Sequence, residues 1–172
     1  MLYLNSHHLY YNLDVYNYLM LCYTYWNMIT IEFEDFNCGC ININFYDDDR
    51  KFWTCDYSLC VNDFTTITDF LKECINHNYA DVILGEEGLS TKLILQTDSS
   101  HTTKLSFMYE DGTEQITFVI IKKQFIHEFY TKLMKVLEKE LVNISEKKSY
   151  YMQNRQKDYD ECKSAEIEAY IS

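Results

Sequence analysis

Residues 103–109 (TKLSFMY) and 114–120 (EQITFVI) alternate apolar and polar side chains, the two-residue period of a strand with one face on a core. Between them stands Asp111-Gly112, a dipeptide that tolerates positive φ and suits a tight two-residue hairpin turn. With those two residues at the centre, Phe107 faces Ile116 and Leu105 faces Phe118, so large apolar groups share one face; slipping by one residue destroys the match. The period then lengthens to about 3.6 residues, and Phe125, Ile126, Phe129, Tyr130, Leu133, Leu137 and Leu141 form one stripe of a long helix. Hairpin and helix each need their apolar face covered, and the economical arrangement is one shared core.

Upstream, Ile29–Phe33 and residues 41–45 also alternate, and a loop centred near Asn37 sets Phe33 against Ile41 and Ile31 against Ile43. The turn Asp47-Asp48-Asp49 leads to a third strand over 51–57, with Trp53, Cys55 and Tyr57 on one face. From about residue 62 a helix is predicted, with Phe64, Ile67, Phe70, Leu71, Cys74 and Ile75 on one side, Asp63 near its N-terminal cap and an end by His77-Asn78. A short strand over 81–84, a turn at Gly85-Glu-Glu-Gly88 and a strand over 91–97 complete the middle of the chain. The predicted fold is α+β: a largely antiparallel sheet of about five to six strands with helices packed on one face.

The ends read differently. Residues 1–26 carry seven tyrosines, and Leu9, Leu13, Tyr16, Met20 and Tyr23 recur at helical spacing, which makes a Tyr-rich extension, either a helix docked on the domain or a loosely ordered leader. Residues 27–144 form the single domain, and 145–172 a polar tail that continues as a solvated helix or frays.

Composition narrows the function. At 47% apolar and 16% aromatic the chain builds a real core. With 15 basic against 27 acidic residues, a net charge of −12, the expected partner is a basic protein, and direct nucleic-acid binding, which needs a basic surface, is not expected. Seven cysteines without a basic, apolar leader read as reduced thiols of a cytoplasmic protein, and the longest apolar run near the start is too short for a bilayer.

Candidate chemistry is sparse. Cys38, Cys40, Cys55 and Cys60 lack the paired spacing of zinc knuckles, so no metal is expected. The histidines His7, His8, His77, His101 and His127 sit in no catalytic motif, four glycines leave little room for a phosphate-binding loop, and no cofactor is expected. Asp47-Asp48-Asp49 lacks the alternate ligand spacing of a calcium loop and reads as a solvated turn. The carboxylates Glu32, Glu34, Asp35, Asp47, Asp48, Asp49, Glu86 and Glu87 are the candidate partner-binding residues, steering a basic surface that the abundant tyrosines then anchor. Two other classes stay open: an enzyme whose histidine and carboxylate meet only in the fold, and a structural protein that dimerises through a helix stripe.

In its order of elements the chain resembles small acidic bacterial α+β proteins of the toxin-immunity type. The likeness is carried by Trp53 to Leu59 entering the helix over 62–78, by Gly85-Glu-Glu-Gly88, and by the Asp111-Gly112 hairpin feeding the last helix; it spans residues 28–141. The resemblance implies a non-catalytic inhibitor that covers the active site of a toxin domain, and it transfers no functional residue.

Overall fold

The computed structural model describes residues 28–34, 40–58, 63–85, 90–109, 111–113, 115–145 and 151–172. The fold is α+β. Its strands are β1 (Ile29–Phe33), β2 (Cys40–Asp47), β3 (Arg50–Ser58), β4 (Tyr79–Leu84), β5 (Thr91–Thr97), β6 (Thr103–Tyr109) and β7 (Gln115–Ile120). Its helices are α1 (Thr65–Asn76), α2 (Lys122–Ser145), α3 (Tyr151–Cys162) and α4 (Ala165–Ile171). All strand pairs are antiparallel, but they form two meanders, β1-β2-β3 and β4-β5-β6-β7, where alternation alone predicts one sheet. The break falls at α1, which carries the chain from β3 to β4; alternation identifies strands but is silent on which become neighbours.

The hairpin β6–β7 has the register its sequence dictates, with Phe107 opposite Ile116 and Leu105 opposite Phe118. Its reversal is wider than a two-residue turn. The Gly112 amide donates to the Tyr109 carbonyl (2.8 Å), and positive φ falls on Gly112 (75°) but not on Asp111, whereas a type I′ turn requires it at both. In β1–β2 the register differs from expectation by two residues: Phe33 lies opposite Ile43 and Ile31 opposite Phe45. A slip of two preserves the inward face, so the apolar pattern cannot distinguish the two pairings. Between β2 and β3 a bulge leaves Phe52 unpaired, because Phe45 faces Trp53 while Tyr46 faces Lys51. Phe52 thereby joins the core against Phe118 (centroids 4.5 Å apart) and Phe107 (5.1 Å), and Lys51 is spared an inward position.

Both sheets share one core with the helices. Phe107 is its hub, in edge contact with Phe45 (4.8 Å) and near Trp53 (5.9 Å). Phe129 of α2 meets Phe45 (5.9 Å), and the Trp53 indole N–H donates to Thr91 Oγ1 across the sheets (3.0 Å). The inward stripes of α1 and α2 are those of the sequence, except that Ile75 and Leu141 are only half-buried. At the start of α1, Asp63 Oδ1 accepts from the Thr65 amide (3.3 Å), while the Tyr57 hydroxyl donates to the Asp63 carbonyl (2.6 Å). At its end, Lys122 Nζ donates to the His77 carbonyl (3.1 Å).

The C-terminal stretch is helical over α3 and α4, one of the two readings its sequence allows, and it is anchored on the body at the junction of the two helices. Cys162 and Ile167 are fully buried, and the Ser164 amide donates to the Tyr130 hydroxyl (2.8 Å). Ser164 Oγ also caps α4 by accepting from the Ile167 amide. The polar composition of 145–172 conceals this because only a few of its side chains face inward. The predicted N-terminal extension, 1–26, lies outside the described residues. No described helix is long and apolar enough to cross a membrane.

Candidate functional site

Alternation on β1 and β2 puts Ile29, Ile31, Phe33, Ile41, Ile43 and Phe45 inward, so Thr30, Glu32, Glu34, Asn42, Asn44 and Tyr46 stand together on the outer face. Here the two-residue register decides the chemistry: Glu32 lies opposite Asn44, and Glu34 is beside Asn42 and Asn44. Asn44 Nδ2 donates to Glu34 Oε1 (2.7 Å) and Asn42 Nδ2 to Oε2 (3.0 Å). Asn44 is itself held, its Oδ1 accepting from Thr54 Oγ1 of β3 (2.9 Å), and it is 2% exposed. The donation from Asn44, then that from Asn42, holds the Glu34 carboxyl below its ordinary range, so it is ionised well into acid. The Tyr46 hydroxyl bonds to Glu32, which raises the phenol's pKa.

This face is bounded on one side by α2. A cleft of about 320 Å³ separates Glu32, Glu34, Asn44 and Tyr46 from Lys132, Lys135 and Lys139. The lysines sit three and four residues apart, the spacing that aligns side chains along one helix face. Carboxylates and ammonium groups thus face one another over a shared cleft, and the region presents a fixed pattern of donors and acceptors instead of bare negative charge. A carboxylate has about four acceptor sites, so Glu34, though bonded twice, keeps lone pairs for an incoming guanidinium or ammonium.

The other predicted partner-binding residues scatter. Asp47, Asp48 and Asp49 turn between β2 and β3 at the far end of the same strand pair, Asp47 opposite Ile29, with Asp48 in the left-handed region (φ 52°). Asp35, Glu86 and Glu87 lie outside the described residues. The structure therefore joins Glu32 with Glu34 and leaves the aspartate turn apart. What the composition missed are Asn42, Asn44, Thr54 and Tyr46. Their signal is present in the chain: the polar positions of the Ile-x-Ile-x-Phe run share the phase of Glu32 and Glu34 once the strands pair.

A second hollow lies toward the start of β1, about 490 Å³, between the strand's start, the end of β7, the first turns of α2 and the end of α4. Its floor is apolar, with Ile29, Ile120, Ile121, Phe125 and Ile171; Lys123, Gln124, His127 and Glu128 are its polar lining. The strand edge is partly closed here, because the outward amide of Ile31 donates to Glu128 Oε1 (3.4 Å), a carboxylate also paired with Lys132 (3.6 Å).

His77, His101 and His127 are exposed, whereas Cys55, Cys74 and Cys162 belong to the core. Burial pushes the thiols of Cys55, Cys74 and Cys162 up to about 12. Of the four cysteines weighed as metal ligands, Cys38 and Cys60 lie outside the described residues, and Cys40 and Cys55 project from opposite faces of the sheet, since Cys55 pairs with Ile43 of the inward set. Among the described residues no group of three or more His, Cys, Asp or Glu is placed to hold a metal ion. No family model, no curated protein and no solved structure matches the chain.

Proposed function

We propose that this chain is a non-catalytic, acidic protein-binding module, an inhibitor of the immunity type that neutralises a basic partner protein in the cytoplasm. The observation that carries this reading is Glu34, an exposed carboxylate fixed by two amides, one of which is buried and itself anchored to the neighbouring strand. Holding an exposed side chain in one geometry costs conformational entropy, and a partner that docks on a pre-ordered carboxylate does not bear that cost again. Glu34 with Glu32 would receive an arginine or lysine of the partner, while the net charge of −12 draws it in and the exposed Asp48 and Asp49 add a second negative point at the turn between β2 and β3. The order of elements supports the immunity-type reading within this class.

The test uses the immobilised full chain at low salt, exposed to proteins of the native cell, against a Glu32→Gln/Glu34→Gln variant. A basic protein retained by the wild type at fixed stoichiometry, and lost or reduced about tenfold by the variant, is the expected result, about 1.4 kcal/mol for a charge-assisted contact. Equal retention by both chains would reject this face as the binding surface.

A further inference from the structure

We infer that the open edge of β7 pairs with the β7 edge of a second copy of this chain, antiparallel across a two-fold axis, and joins the two four-stranded sheets into one. A strand edge leaves a row of backbone N–H and C=O groups without partners, and soluble proteins blunt such edges with charge, proline, a bulge or a covering element. The other sheet edges here are managed in that way. α2 lies along β1, where Glu128 takes the Ile31 amide; β3 carries Arg50, Lys51, Asp56 and the bulge at Phe52; and β4 packs beside α1. β7 ends its sheet with no described strand on its outer side. Its six residues, QITFVI, hold no charge and no proline, and their register with β6 is unbroken. Burial marks the edge as open among the described residues: Leu105 and Phe107 of β6 are fully buried, whereas Phe118 and Ile116, which face them, are only half-buried.

The strand's own pattern selects a second copy as the occupant. Residues opposite one another in an antiparallel pair point to the same face, so the inward set of one strand must meet the inward set of the other. With Phe118 on the axis, Phe118 faces its counterpart, Ile116 faces Ile120 and Thr117 faces Val119; the inward positions stay apolar and the outward positions stay uncharged. Phe52, half-buried against Phe118 (4.5 Å), widens the apolar surface available to the contact. Charge along the hairpin has the matching polarity. Exposed Asp111 stands at the reversal before β7 and exposed Lys123 just beyond its end, so antiparallel pairing brings the acid of each copy toward the lysine of the other, and parallel pairing would set like ends together. A two-fold contact of this kind is closed and stops at two chains. The edge belongs to the second sheet and is independent of the Glu32 and Glu34 face on the first.

Light scattering and sedimentation equilibrium on the full chain test the pairing, at about 0.15 M salt so that the net charge of −12 on each copy is screened. The expected result for the wild type is a monomer–dimer equilibrium with no larger species. Thr117→Lys/Val119→Lys and Thr117→Glu/Val119→Glu each set like charges directly opposite one another across the axis, and each should raise the dimer Kd about tenfold or more. An equimolar mixture sets every lysine opposite a glutamate and should restore a one-to-one heterodimer, which also shows that both variants fold. A wild type that stays monomeric at every concentration would overturn the inference, and so would a dimer whose Kd neither variant moves. Folded variants that fail to pair on mixing, or growth beyond two chains, would overturn it as well.

Discussion

Replacing Asn44 by alanine withdraws the buried amide on which the outer face of the first sheet depends. Thr54 Oγ1 loses its acceptor and Glu34 its stronger donor. Loss of the amide's hydrogen bonds and packing should cost about 1–3 kcal/mol in urea unfolding at pH 7. The proton linkage has a definite sign. Glu34 is depressed in the folded state, so its contribution is present above the unfolded carboxylate pKa and is lost as pH falls through the folded one. The gap between wild type and Asn44→Ala should therefore narrow below about pH 4, and the Glu34 titration followed by NMR should move upward in the variant. An unchanged Glu34 titration would mean that the amide does not hold the carboxylate. The thiols give a second residue-scale expectation. Cys55, Cys74 and Cys162, pushed up to about 12 by burial, expose roughly one thiolate in ten thousand at pH 8 even before access is considered. Iodoacetamide should leave all three unmodified in the native protein and alkylate them in denaturant, as peptide mapping would show. Rapid native labelling of Cys162 would mean that α3 and α4 come away from the body readily.

At the scale of elements, the C-terminal helices are the part most at odds with their composition. Ile167 is fully buried, and Ile167→Ala should cost about 2–4 kcal/mol in denaturant unfolding, as for other large-to-small core changes. A cost near zero would return the segment to the status of a tail. The reason the tail looked polar is instructive: α4 is seven residues long and α3 has low apolar content, so periodicity has too few positions on which to act, and the anchoring groups are a cysteine, a serine cap and one isoleucine. Elements with many apolar repeats were legible. The stripe of α2, the inward set of α1 and the β6–β7 register all follow from side-chain spacing, because one face there is buried and a one-residue slip inverts it. Register in β1–β2 was not legible, since a slip of two is silent to the pattern, and that register is what brings Glu34 to Asn42 and Asn44. The candidate site was thus half visible: the sequence marks Glu32 and Glu34 as charges, but their amide supports and the facing lysines depend on strand pairing and on how α2 lies along β1.

For the molecule as a whole, the charge imbalance sets two responses to salt that run in opposite directions. A net charge of −12 on a chain of this size repels itself in the compact state, and screening relieves that repulsion. The ion pairs that screening weakens are surface pairs, such as Lys92 with Asp81 (3.0 Å) and Lys72 with Asp69 (3.0 Å), each worth little. Added sodium chloride should therefore raise the melting temperature modestly, or at least not lower it. Association with a basic partner responds the other way. Between about 0.01 and 0.15 M salt the screening length shrinks from about 30 to about 8 Å, which removes the long-range attraction before it reaches a neighbouring protein. The association rate should fall about tenfold or more over that interval, while the dissociation rate, governed by the short contacts of Glu34 and its amides, changes much less. Stopped-flow or surface-based kinetics on the captured partner, alongside thermal melts at the same salt concentrations, separate the two effects. An association rate indifferent to salt would remove steering by net charge as the mechanism even if the Glu34 face remained the contact. A melting temperature that fell steeply with salt would instead show that ion pairs outweigh self-repulsion in holding this acidic fold together.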